Sequence, residues 1–232
     1  MTRQEIPFFN FTFPASEILA AGANEKDCER EVFPCPITKE HDEGDRRISP
    51  LYLELQHNNR DEYIIWSWDL QCAIHENILQ AFAREGFTGY RVQPATVRFG
   101  DGYESHDYFD FRVVGWAGVA KEESGMHIVD SCPACHWSWY SPNEDYRNII
   151  DWEQWTGEDF FVVWPLRGFT LCTERVANWL KEQKVKSCRL LKEFAILEES
   201  PALSKQKTFG GRLSSFFPED LAIKYGRPLG LE

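Results

Sequence analysis

Apolar and polar positions along the chain follow one pattern twice. Residues 63–99 (YIIWSWDLQCAIHENILQAFAREGFTGYRVQPATVRF) and 161–197 (FVVWPLRGFTLCTERVANWLKEQKVKSCRLLKEFAIL) align without a gap. Trp66 falls on Trp164 and Glu76 on Glu174. Ile78, Phe82, Phe87 and Val92 fall on Val176, Leu180, Val185 and Leu190. Internal similarity of this kind marks one supersecondary unit used twice. Each copy reads as strand, loop, helix, strand. The runs 63–66 and 161–164 are β-branched and aromatic, which suits buried strands. In HENILQAFARE, Ile78, Leu79 and Phe82 share one helical face; in TERVANWLKEQ, Val176, Trp179 and Leu180 do the same. Thr173 is the predicted N-cap of the second helix. Gly86 stands where a helix ends in a left-handed residue. A further strand follows each helix, over 90–92 or 96–99 in the first copy and over 188–194 in the second.

The flanking segments are less regular. Residues 1–20 carry Phe8, Phe9, Phe11 and Phe13 and predict an edge strand or a tether to the core. Residues 21–50 read as an irregular loop region. Residues 107–119 read as one strand, KEESG as a turn, 127–130 as a short strand and SPNEDYRN as a loop. The tail after Pro201 reads as a loop through KQKTFGGR, then a last helix in FPEDLAIKYG with Pro218 at its start. The expected fold class is α+β: two related strand–helix–strand units, about 63–99 and 161–197, packed in one mixed α/β domain with shared or joined sheets. Its halves, 1–125 and 126–232, each hold one copy, the second also holding a CxxC pair.

A chain of 232 residues buries about two-thirds of its unfolded surface. A core is therefore expected without metal or disulfide. The net charge of −12 repels phosphates, so no nucleic-acid partner is expected; it also speeds the arrival of basic partners. No stretch approaches the roughly 20 apolar residues of a membrane span. The start, MTRQEIPFFNFTF, lacks the apolar run of a secretory signal. Seven cysteines, an odd number in a well-cored chain, fit reduced thiols and a cytoplasmic location. No pattern in the sequence determines the oligomeric state.

Cys132-Pro133-Ala134-Cys135-His136 is the sharpest motif. CxxCH attaches c-type haem in exported proteins, an export for which the sequence carries no signal. CxxC is also a redox pair where a helix N-terminus lowers a thiol pKa, but the following WSWYSPNEDY is a poor helix. It is also half of a tetrahedral zinc site. No second CxxC exists; Cys28, Cys35, His127 and His136 are the nearest candidates for further ligands. A turn holding two reduced cysteines is the plain structural alternative. The sequence demands no cofactor, and zinc at Cys132 and Cys135 is the one it leaves open.

Catalysis finds little support. There is no GxSxG elbow. His75-Glu76 lacks the second His of a metalloprotease helix, and its Glu is matched by Glu174, which points to structure. Gly100 and Gly102 flank Asp101 as turn residues. No catalytic residue is nominated. Asp101, Glu104, Asp107 and Asp110 alternate with Tyr103 and Tyr108. Such a run is a solvated strand face, or a partner-binding patch in which aromatics anchor and acids steer. The acidic run Asp42, Glu43 and Asp45 is a second candidate for the same role.

In order and spacing, these segments resemble the double-CXXCG group of bacterial immunity proteins of polymorphic toxin systems. The likeness rests on ILQAFAREGFTGYRVQPATVRF, on the CPAC pair before the second copy, and on DFFVVWPLRGFTLCTERVANWLKEQKV. Two departures stand out. His136 occupies the place of the family's Gly, and Cys35-Pro36 resembles the remnant of a first CXXCG, with Thr38 where its second cysteine would be. The resemblance implies a protein that is not an enzyme. It would bind a cognate, basic protein toxin in the cytoplasm and neutralise it by stoichiometric contact. The rival classes are an enzyme, thiol-redox or metal-dependent, and a zinc-stabilised interaction module using Cys132 and Cys135.

Overall fold

The computed structural model describes residues 7–12, 21–23, 28–41, 46–67, 71–145, 148–185, 188–192 and 209–231. In chain order its strands are β1 (Phe8–Thr12), β2 (Ala21–Ala23), β3 (Arg30–Glu31), β4 (Arg46–Arg47), β5 (Leu51–Glu54), β6 (Ile64–Trp66) and β7 (Cys72–His75), followed by β8 (Tyr90–Arg98), β9 (Glu104–Val113), β10 (Trp116–Val119), β11 (Ile128–Ser131), β12 (Ser138–Tyr140), β13 (Phe160–Trp164), β14 (Leu171–Thr173), β15 (Arg189–Lys192) and β16 (Phe209–Gly211). The helices are α1 (Glu76–Glu85), α2 (Glu174–Glu182), α3 (Leu213–Phe216) and α4 (Glu219–Gly226). The fold is mixed α+β. Among the described residues no helix is long and apolar enough to cross a membrane. Phe13, residues 193–194 and the loop 201–208 lie outside the described residues.

The repeat is real in element order: β6-β7-α1-β8 corresponds to β13-β14-α2-β15. Each copy contains a second short strand, β7 or β14, where the sequence reading had a loop. Each copy also builds its own sheet, of order β2-β5-β8-β9-β7-β6 in the first and β10-β13-β14-β1-β15 in the second. Among the described residues the two sheets share no strand, and the Phe160 N–H donates to the Thr88 carbonyl at 3.0 Å between the copies. In the first sheet β9 runs antiparallel to both β7 and β8. In the second, β1 runs antiparallel to both β14 and β15. The N-terminal strand is thus interior rather than an edge, and buries Phe8 and Phe11. The physical reason is the parallel pair that each helix connects. Those two strands leave a gap, which the chain fills from its next strand in one copy and from its start in the other.

Two further expectations are corrected. The first-copy strand after α1 is one continuous element, β8. It carries Pro94 opposite Phe109, while β5 pairs only from Ala95 onward. Pro94 therefore sits where one side of β8 lacks a partner, and its missing N–H breaks no ladder. Residues 107–119 are two strands in two sheets, broken at Val114 and Gly115. A Cβ on Gly115 would fall 2.0 Å from the Phe160 carbonyl oxygen, and so would one on Gly89. Only glycine allows the two copies to approach this closely.

Both copies contribute to one core. Ile78 and Phe82 from α1 meet Val176, Ala177 and Leu180 from α2, together with Phe11, Phe111 and Phe160. Phe160 packs against Phe82, Phe111, Phe11 and Tyr90 at ring centroid separations of 5.5, 5.0, 5.6 and 5.8 Å. Beside it the buried Asp159 accepts the Thr88 N–H at 3.1 Å, the Thr173 hydroxyl at 3.1 Å and Arg175 at 3.2 Å. The guanidinium of Arg175 also donates to the Glu85 carbonyl, so α2 supplies a cation to the C-terminal end of α1, where the helix dipole favours it.

The helix ends repeat as well. His75 Nδ1 accepts the Asn77 N–H at 3.2 Å, a cap that the sequence reading did not assign. Thr173 is the N-cap of α2, as expected, although its hydroxyl goes to Asp159 instead of the helix. At the C-termini, Phe87 N–H donates to Phe82 O at 3.0 Å and Val185 N–H to Leu180 O at 3.1 Å. Gly86 has φ 68° and its counterpart Lys184 has φ 55°. A left-handed lysine is strained where glycine is not. Lys184→Gly should therefore raise stability by about 0.5–1 kcal/mol, read as a higher denaturant midpoint with an unchanged slope.

Candidate metal centre

A third, three-stranded sheet of order β11-β12-β16 presents the CPAC turn. Cys132 and Cys135 flank this turn between β11 and β12. The Cys132 N–H donates to Trp137 O at 2.8 Å, and the His136 N–H donates to Cys132 O at 2.9 Å. The turn thereby points both thiols to one side, as a knuckle requires. Against it lies the segment between β3 and β4. Cys35 begins a tight turn in which the Ile37 N–H approaches its sulfur at 3.4 Å. A single 3-10 turn, Lys39–His41, then brings His41 round.

Four donors converge from these two segments. Cys35, His41, Cys132 and Cys135 have ligand atoms all within 4.8 Å of one another. The Cys35 and Cys132 sulfurs are 3.8 Å apart, and His41 Nδ1 is 3.7 Å from both Cys35 and Cys135 sulfurs. Zinc bonds of about 2.3 Å to sulfur and about 2.0 Å to nitrogen put sulfurs about 3.8 Å apart, and sulfur and nitrogen about 3.5 Å apart, in a tetrahedron. The cluster fits that ion. The 3.8 Å sulfur separation is far beyond a disulfide bond of about 2.05 Å, and the cysteines are free.

The surroundings prepare the ligands. The His41 ring stacks on Trp137 at 5.8 Å with planes 4° apart, and Trp137 is buried. Arg212, which directly follows β16 and is itself buried, donates to the carbonyls of Phe33 and His41 at 2.6 and 2.5 Å. It holds the backbone that carries both N-terminal ligands, the supporting role that orients metal ligands. Burial opposes ionisation of Cys35, yet hydrogen bonds from the Thr38 and Ile37 N–H groups, with those of Cys135 and His41, outweigh it and bring the thiol down to about 6. The Ala134 N–H lowers Cys132 against the opposing effect of burial. Burial pushes Cys135 up to about 11. Burial likewise disfavours the His41 imidazolium, but hydrogen bonds to Cys132 and Cys35 outweigh it and raise His41 above its ordinary value.

The sequence reading found half of this centre. Cys132 and Cys135 are in it, and Cys35 was one of the further ligands considered. His41 was missed; its only signal was a histidine shortly after a Cys-Pro. Cys28, His127 and His136 are not members. His127 Nδ1 lies 3.1 Å from Gly125 O and from Ser141 Oγ. His136 is exposed with φ 56°. That backbone conformation favours glycine over histidine.

The proposed partner patch is smaller than the sequence implied. Asp110 is 1% exposed and binds Arg47 and Arg112 at 2.6 and 2.7 Å. Tyr108 is 2% exposed and donates to the Glu62 carbonyl. Tyr108 packs in an apolar cluster with Leu53 and Ala73, and Asp110 is covered by the two guanidinium groups it binds. Asp101, Tyr103, Glu104 and Asp107 remain exposed. Asp101 pairs with Arg60 at 2.7 Å, whose guanidinium lies 4.3 Å from the Tyr103 ring centroid. Glu104 accepts the Tyr52 hydroxyl at 2.8 Å. Asp42, Glu43 and Asp45 lie outside the described residues.

Three outcomes are expected at the centre. Elemental analysis should find one zinc per chain, lost in Cys35→Ser and in His41→Ala. Zinc affinity should rise with pH through neutrality, because binding displaces protons from Cys135 and His41 and acid restores them. His136→Gly should keep the zinc and stabilise the chain by about 0.5–1 kcal/mol, read by thermal unfolding of the zinc-loaded protein.

Compared with protein-family models and with curated proteins, the chain matches none.

Proposed function

We propose that the chain is a zinc-clamped, non-catalytic binding protein of the immunity type, which neutralises a basic bacterial protein toxin by stoichiometric contact in the cytoplasm. The observation that carries the reading is the donor set. Three thiols and one imidazole account for all four corners of a zinc tetrahedron, leaving none for water or substrate. An ion held in this way stiffens a surface and performs no chemistry. The partner class comes from the motif order that resembles the immunity group, and the net charge of −12 suits fast capture of a basic protein. Tyr103, 48% exposed, offers an anchor, and Glu104 and Asp107 further along the same strand offer exposed acids. Asp101 contributes less, since Arg60 already neutralises it.

A thiol-redox enzyme is the second reading. It is favoured by a Cys132 thiol held low beside a Cys135 thiol held high, the arrangement of an attacking and a resolving cysteine. It requires that Cys132→Ser abolish disulfide exchange with a test substrate.

This reading requires a toxin gene beside this one, and co-expression of the two should rescue growth of a sensitive host. Failure to rescue would remove the immunity reading. Reversing charge at Glu104 and Asp107 together should slow association with that toxin about tenfold and flatten its salt dependence. Unchanged kinetics would place the interface elsewhere.

A further inference from the structure

The metal centre joins two segments that lie far apart in the chain, and its thiols offer a second way to join them. Cys132 and Cys135 sit on the CPAC turn, while Cys35 lies 97 residues before Cys132. The Cys35 and Cys132 sulfurs are in contact at 3.8 Å. Bringing that separation to the 2.05 Å of a disulfide takes about 1.8 Å of sulfur movement, within the reach of a change in side-chain torsion. The cluster lies at the surface. Pro36, Pro133, Ala134 and His136 around it are exposed, and Cys35 is itself half-buried. Cys72 and Cys172 are buried in the core between the two helices. A small oxidant therefore meets the centre before it meets those two thiols.

We propose that a peroxide converts the centre from an ion clamp to a covalent clamp, in which a Cys35–Cys132 disulfide takes the place of zinc. This regulation rests on the metal-centre reading and not on the identity of the partner. The Cys35 thiolate attacks one peroxide oxygen, the O–O bond breaks, and the departing hydroxide takes a proton and leaves as water. The Cys132 thiolate then attacks the sulfur of the resulting sulfenic acid. The S–S bond forms, the S–O bond breaks, and a second hydroxide takes a proton and leaves as water. The two thiolates lose two electrons and the peroxide gains them. Cys135 and His41 are left, two donors where zinc takes four, so the ion is released.

The competing product is a bond within CPAC. It closes a loop between cysteines three positions apart, whereas Cys35–Cys132 closes one spanning 97. Cross-linking restrains the unfolded chain more as the loop lengthens. Exchange among three neighbouring thiols therefore settles on the long-range bond. That bond fixes the same two segments that the ion fixes, so the surface they form persists in oxidising surroundings. A thiol-redox enzyme differs on this point, because its bond forms within CPAC and is passed to a substrate.

Treating the zinc-loaded full chain with excess hydrogen peroxide tests this. A chromogenic chelator should register one zinc released per disulfide formed, and mass spectrometry of unreduced peptides should find Cys35 bound to Cys132. Dithiothreitol with added zinc should restore the starting state. The oxidised, metal-free chain should melt at least about 5 °C above the reduced, metal-free chain. Cys135→Ser should retain the disulfide, and Cys132→Ser should abolish it. A bond mapped within CPAC or to any other cysteine, or Cys35 carried on to the sulfinic acid, would overturn the proposal. The two readings separate cleanly. A chain that takes up no zinc yet forms the Cys35–Cys132 bond would remove the metal reading and keep the covalent clamp. A zinc-loaded chain that forms no such bond would keep the metal reading and remove this one.

Discussion

Neither copy of the repeat can bury its helix alone. The apolar stripe of α1, with Ile78 and Phe82, and that of α2, with Val176 and Leu180, meet in one core around Phe160. The strands on either side must then come within backbone distance, which is why Gly89 and Gly115 both face the Phe160 carbonyl. Asp159 and Arg175 secure the polar edge of the same joint, tying the turn after α1 to the start of α2. Apolar burial supplies most of the free energy here, and the buried carboxylate specifies how the copies sit. The two sheets, with the N-terminal strand in one and β9 in the other, are held at this joint.

The metal centre obeys a different logic. Its ligands come from turns, and the apolar cluster around it is small: Cys132, Cys135 and Trp137, with Cys35 and Trp139 packed alongside. Such a region has little buried area of its own, and an ion held by the four donors would supply what packing does not. What is clamped is the stretch from Cys35 to His41, otherwise held by Arg212 and a two-residue ladder between β3 and β4. The same ladder carries Arg46 to Glu31 and Arg47 to the buried Asp110.

Net charge differs with depth. The acids Glu104 and Asp107 lie on the surface, while the buried charges balance: Arg47 and Arg212 are inside with Asp110 and Asp159, and the two forks are used on carbonyls and on Asp110. Net charge computed from composition describes the exterior that a distant partner meets. It does not describe the interior, where a few desolvated groups dominate at close range.

The repeat, both helices, the left-handed Gly86 and the α+β class were legible in the sequence, because helix periodicity and capping are local properties that neighbouring residues encode. The CPAC knuckle was legible for the same reason: two ligands three residues apart share one turn. The contribution of β1 to the second sheet was not, since strand pairing between residues more than 150 positions apart leaves no trace in either segment. Asp110 and Tyr108 looked like surface because alternation in β9 says which residues share a face but not which face is covered. His41 joined Cys132 and Cys135 across more than 90 residues, and Arg47 found Asp110 across more than 60. Local pattern determined the elements; only packing decided which distant donors, cations and carboxylates would meet, because that depends on how one unit stacks upon its copy.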